Sequence, residues 1–127
     1  RKCRQQSPAD LFTSDVCKIH DYLASKGLKM MIWGDMLQPV SGYKTIAAID
    51  MIPKDILMLD FIWYFHLDKD IEDNLLEKGF NVVFGNLYSS HFPRYETRSR
   101  KDGIIGGQAT VGSVGNAAFI ILILGII

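Results

Sequence analysis

The chain has 127 residues, 48% of them hydrophobic and 22% charged, with fourteen Lys and Arg balancing fourteen Asp and Glu. That length holds one domain with a core of its own, and ordinary composition excludes a disordered chain. Zero net charge excludes the basic footprint of a nucleic-acid binder, offers nothing to an anionic membrane surface, and leaves copies of the chain without mutual repulsion, so self-association is expected.

The chain opens on Arg1 rather than Met, as expected of a sequence that starts inside a longer protein. Ser7-Pro8-Ala9-Asp10 is a helix start: Ser7 can cap, Pro8 suits the first helical position, and Asp10 stands where the helix dipole favours negative charge. Phe12, Val16, Ile19 and Leu23 then recur at helical spacing as one apolar stripe, and Gly27 supplies the left-handed cap. Cys17, within this pattern, is expected to be a small buried hydrophobe, and with Cys3 it makes neither a disulfide framework nor a metal site.

Leu28 to Trp33 is short and almost continuously apolar, the pattern of a strand buried on both faces. The stretch from Ser41 to Lys54 holds a modest helical pattern (Ile46, Ile49) broken by Pro53. Ile56 to Trp63 is a second apolar strand, and Asp68 to Lys78 a short helix closed by Gly79. Phe80 to Gly85 is a third strand, Arg94 to Lys101 a polar and helix-compatible connection, and Gly103 to Gln108 a fourth strand. Within the second helix Glu72 and Asp73 are expected to be solvated charge on its surface.

Helices and strands alternate throughout, which specifies an α/β fold with parallel strands joined by helical crossovers. Both an open doubly wound sheet and a (β/α)8 barrel have that grammar. Polar or aromatic residues close every strand: Trp33 and Asp35, Asp60 with Trp63, Asn86 and Tyr88, and Gln108. The carboxyl ends of barrel strands form the active face of that fold, so the barrel is favoured. Such a barrel takes about 250 residues and eight strands; four strands over residues 1–110 are expected to be half of one, a TIM barrel cut in two. No G-x-G-x-x-G or G-K-[ST] loop opens a helix, and His20 and His66 lack partners at ligand spacing, so no nucleotide, cofactor or metal is expected.

Residues 111–127 form an apolar tail in which Ala117 to Ile127 carries no polar side chain. It is too short to cross a membrane, which takes about 20 residues. It reads either as a buried last helix or strand, or as a segment foreign to the fold.

Several phrases resemble the second half of the catalytic barrel of glycoside hydrolase family 20, the β-N-acetylhexosaminidases, and most of all its bacterial members. They are Asp10-Leu11-Phe12, Met30-Met31-Ile32-Trp33-Gly34-Asp35-Met36, Ile52-Pro53-Lys54-Asp55, Asp60 to Tyr64, and Gly106-Gly107-Gln108. The resemblance runs from Ser7 to about Gln108 and implies strands five to eight of that barrel. It implies removal of terminal N-acetylhexosamine from glycans by substrate-assisted hydrolysis, in which the sugar's own acetamido oxygen attacks the anomeric carbon. The family's catalytic Asp-Glu pair ends strand four, and no Asp-Glu dipeptide occurs in this chain. Hydrolysis by the chain alone is therefore not expected.

What the resemblance carries over is the sugar pocket. Trp33 and Trp63 match tryptophans that wall the acetamido group. Tyr88 matches a tyrosine whose phenol stabilises charge on the acetamido oxygen, and is the one catalytic residue implied here. Asp35, Asp60, Asn86 and His91 are the candidates for sugar hydroxyls. Beyond Tyr88 the chain has Ser90 where an acidic residue is frequent in the family. After Gln108 neither the family's tryptophan nor its glutamate appears.

Overall fold

The computed structural model describes residues 6–60, 70–85, 89–111 and 120–125. Helix α1 spans Pro8–Ser25 and starts as its sequence dictates. The Ser7 Oγ accepts from the Asp10 N–H at 3.1 Å, and the Asp10 carboxylate accepts from the Ser7 N–H at 3.1 Å, a reciprocal capping box. Gly27, at φ 71°, turns the chain out of the helix in the left-handed region.

The buried stripe of α1 differs from the expected one. Ala9 and Val16 are buried and Phe12 and Leu23 pack against the core, but Ile19 is 51% exposed. Its place is taken by His20, one helical turn beyond Val16, whose Nε2 lies 2.9 Å from the Asp55 Oδ1. Cys17 sits a further step round the helix and is only partly buried, contrary to expectation.

Five strands form one sheet in the order β1 (Met31–Trp33), β2 (Leu57–Asp60), β3 (Val82–Phe84), β4 (Ile104–Val111) and β5 (Ile120–Gly125). The first four are parallel and lie side by side in sequence order, with Trp33 opposite Leu59 and Asp60 opposite Phe84. The chain is thus an α/β protein with a four-stranded parallel sheet. The apolar tail supplies β5, which runs antiparallel along β4 from Val111↔Ile120 to Gly106↔Gly125. β4 extends past Gln108 because that pairing continues to give its backbone a partner.

Between β1 and β2 the chain makes three 3-10 turns (Asp35–Leu37, Pro39–Ser41 and Ile46–Asp50) in place of a longer helix. Pro39 and Pro53 lack the N–H that a continuous helix needs from its interior residues. Helix α2 is Glu72–Glu77, shorter than the expected Asp68 to Lys78, and α3 is Phe92–Arg98.

Alternation along the strands sorts the side chains onto two faces. Met58, Val82 and Phe84 join Val16 of α1, Leu75 of α2 and Tyr95 of α3 in one hydrophobic cluster, with the Phe84 and Tyr95 rings 5.0 Å apart. All three helices therefore serve the same face. Trp33, Leu59 and Val83 point to the other, where Met31, Trp33 and Ile105 remain substantially exposed. Among the described residues no helix is long and apolar enough to cross a membrane.

The His20–Asp55 contact ties α1 to the residues just before β2 and makes stability depend on pH. The Asp55 carboxylate raises the His20 pKa above its usual 6.5. That contribution is complete below pH 6.5 and is lost as pH rises through the raised value. His20→Gln is expected to flatten this part of the pH dependence, read as urea midpoints measured between pH 6 and 8.

Candidate functional site

Of the residues that the sequence marks for sugar binding, Trp33, Asp35, Asp60 and His91 are described, whereas Trp63, Asn86 and Tyr88 lie outside the described residues. Trp33 ends β1 and is 40% exposed on the face turned away from the helices. Its indole lies over Gly85, just past β3. A Cβ added there would sit 2.5 Å from the Trp33 Cζ3 and 2.6 Å from the Asp60 carbonyl oxygen, so the backbone approach requires glycine. The Gly85 N–H donates to that same carbonyl at 2.8 Å. An indole held half-open at the carboxyl end of a parallel strand is a surface on which a sugar ring can stack.

Asp35 opens the first 3-10 turn and is partly exposed. His91 directly precedes α3 and is partly buried, with its Nδ1 2.9 Å from the Ser90 Oγ. Asp60 is placed differently. It ends β2 beside Phe84, on the helix-facing side, and is fully buried. Trp33 and Asp60 thus end neighbouring strands but point to opposite faces of the sheet.

Asp60 belongs instead to a polar cluster behind the carboxyl end of the sheet. The Gln38 amide donates to the Asp60 Oδ1 at 3.3 Å and to the Ile71 carbonyl at 2.9 Å, while the Gln38 Oε1 accepts from Asn74 at 3.2 Å. Burial, together with the negative charge of Glu72, pushes the Asp60 pKa up to about 7; Gln38 and Arg94 act against the shift without cancelling it.

Glu72 corrects the sequence expectation outright. Far from being solvated, it is wholly buried, because the first turn of α2 faces α3 and not water. Arg98 Nε donates to the Glu72 Oε1 at 2.6 Å, and an Arg94 nitrogen stands 3.8 Å from the same oxygen. Arg94 also pairs with Asp70, and Arg98 with Asp73, which Lys101 approaches at 2.6 Å. Two signals for this cluster stand in the sequence. One is an acidic run at Asp70, Glu72 and Asp73, and the other is Arg94 and Arg98, four residues apart on one side of a helix.

At the opposite ends of the strands a cavity of about 130 Å³ has Lys29, Met31, Asp55, Leu57, Asn81 and Ile105 among its lining residues. Among the described residues no three His, Cys, Asp or Glu side chains are grouped as a metal ion would need. Comparison of the chain with known protein families gives no match, and comparison with curated proteins gives none either.

The ion pair between α2 and α3 is a strong point of the fold because one partner is wholly buried. Arg98→Ala leaves the Glu72 charge in the interior and is expected to cost about 3–5 kcal/mol. Adding Glu72→Gln should recover part of that loss. Chemical denaturation of the two single variants and the double variant measures both numbers; purely additive losses would separate the two side chains energetically.

Proposed function

We propose that the chain is the second half of a (β/α)8 barrel resembling glycoside hydrolase family 20, and that it contributes sugar-binding surface for terminal N-acetylhexosamine without the catalytic Asp-Glu pair. The observation that supports this reading best is the sheet itself. Four parallel strands follow one another in sequence order with their helices on one face, and Trp33 stands exposed at a carboxyl end on the other. In a barrel the helix-free face is the interior and the carboxyl ends are the active rim. A doubly wound sheet instead carries helices on both faces and reverses its strand order at a switch point.

In this reading Trp33 stacks on the apolar face of the sugar. Trp63 and Tyr88, by resemblance, close the acetamido pocket, with Asp35, Asn86 and His91 as the candidates for its hydroxyls. Asp60 supports the rim from behind.

A second reading has one observation in its favour. β5 lies antiparallel along the edge of β4, where a closed parallel barrel would place its first strand. A non-catalytic sheet capped by its own tail fits that arrangement. It predicts no sugar response.

The purified chain should not turn over an aryl N-acetyl-β-glucosaminide, because general acid–base catalysis alone is worth ~10²–10⁴-fold. N-acetylglucosamine should nonetheless change its tryptophan emission saturably, and Trp33→Ala should remove most of that change. Turnover that survives repurification, or emission indifferent to the sugar, would sink the sugar-pocket reading.

The exposed Met31, Trp33 and Ile105 and the absence of net charge also favour self-association. Sedimentation over a concentration series should show dimers or larger species, and a monomer at every concentration would refute that part.

A further inference from the structure

We propose that the cavity at the amino ends of the strands is a binding site for a small organic monocarboxylate with a short apolar body. The site lies at the end of the sheet remote from the carboxyl rim, and the inference does not depend on the sugar-binding reading.

The walls come from three strands. Met31 opens β1 and pairs with Leu57, the first residue of β2. Along β4 the register against β3 jumps from Ile104 to Gly106, so Ile105 is an extra residue in the ladder. A bulge of this kind re-aims a side chain, and Ile105 joins Met31 and Leu57 in lining the cavity. Met31 is 43% and Ile105 45% exposed, which leaves apolar surface for an occupant to cover. The volume of about 130 Å³ is close to the ~150 Å³ of an engineered apolar cavity that takes benzene, so the apolar body is limited to about six carbons.

Polar groups decide what the body carries. Lys29 and Asn81 line the same cavity, and among the described residues neither side chain makes a hydrogen bond or an ion pair. An ammonium only donates and an amide can donate, so an acceptor with two oxygens answers both. A carboxylate is that acceptor, and its bond to Lys29 is charge-assisted. Asp55 is the one acid in the lining. Its two oxygens are already taken by His20, whose Nε2 lies 2.9 and 3.1 Å from them. The cavity therefore offers no open anion to a ligand amine, and Lys29 repels one. Protonated His20 also offsets the Asp55 charge, which on its own repels an anion.

Methyl NMR of the full chain tests the site, with 3-methylbutanoate as the probe. The titration is run at about pH 6, where His20 is protonated. It uses the lowest protein concentration that gives signal, so that copies of the chain do not compete for Met31 and Ile105. The expected result is a saturable shift of the Met31, Leu57 and Ile105 methyls with one shared midpoint. A roughly millimolar midpoint lies within the ceiling for a ligand of about seven heavy atoms. 3-Methylbutylamine and 3-methylbutanamide have the same body with a different head, and each should bind about tenfold more weakly, the worth of a hydrogen bond between charged groups. Lys29→Gln should weaken the carboxylate by about the same factor and leave the amide unchanged. Shifts that never saturate, an amine or amide that binds as well as the carboxylate, or full carboxylate binding by Lys29→Gln would each overturn the proposal. Lys29 is exposed and unpaired among the described residues, so its replacement spares the fold, and the comparison of the three probes needs only the wild-type chain.

Discussion

Parallel pairing is the constraint from which the rest of this structure follows. A parallel strand can pair with the next only after the chain has travelled back along the sheet, so every strand pair obliges a crossover segment. Here the strands stay in sequence order, and α1, α2 and α3 all contribute to the cluster around Met58, Val82 and Phe84. One face is packed by the chain's own helices. The other carries Met31, Trp33 and Ile105 partly in the open. The placement of Trp33 follows from this asymmetry, since strand alternation leaves it no choice of face once Leu59 and Val83 are set.

The same asymmetry explains the charged layer at the carboxyl end. Among the described residues, Asp60, Gln38 and Glu72 are buried between sheet and helices at that end. Polar groups in that position cost free energy unless each finds a partner. Arg98 and Arg94 come from α3, Gln38 from the segment after β1, and Asp60 from β2. The cluster thus joins pieces far apart in sequence, and its energetic consequence is coupling: no one of these segments can leave without stranding charge that another needs.

Much of the fold was legible in the sequence, and the reason is local. The capping box at Ser7 and Asp10, the glycine ending α1, and the apolar runs of β1 to β4 are decided by neighbours in the chain, so residue types and spacing suffice to place them. Element lengths were less legible. α2 is shorter than its pattern, and the stretch after β1 breaks into 3-10 turns. The order of the elements nevertheless holds.

The candidate site divides along the same line. The sequence by itself determined that Trp33 and Asp60 stand at strand ends and that the tail after β4 is apolar. Strand ends are set by local pattern, and apolarity is a property of composition. Only the tertiary structure decided that Asp60 turns toward the helices, that Glu72 is buried rather than solvated, that His20 replaces Ile19 on the inner stripe of α1, and that the tail runs back along β4. Each of these depends on which distant segment arrives opposite the residue. A charge reads as surface charge until an arginine twenty-six positions away is folded against it, and local spacing carries no record of that arrival.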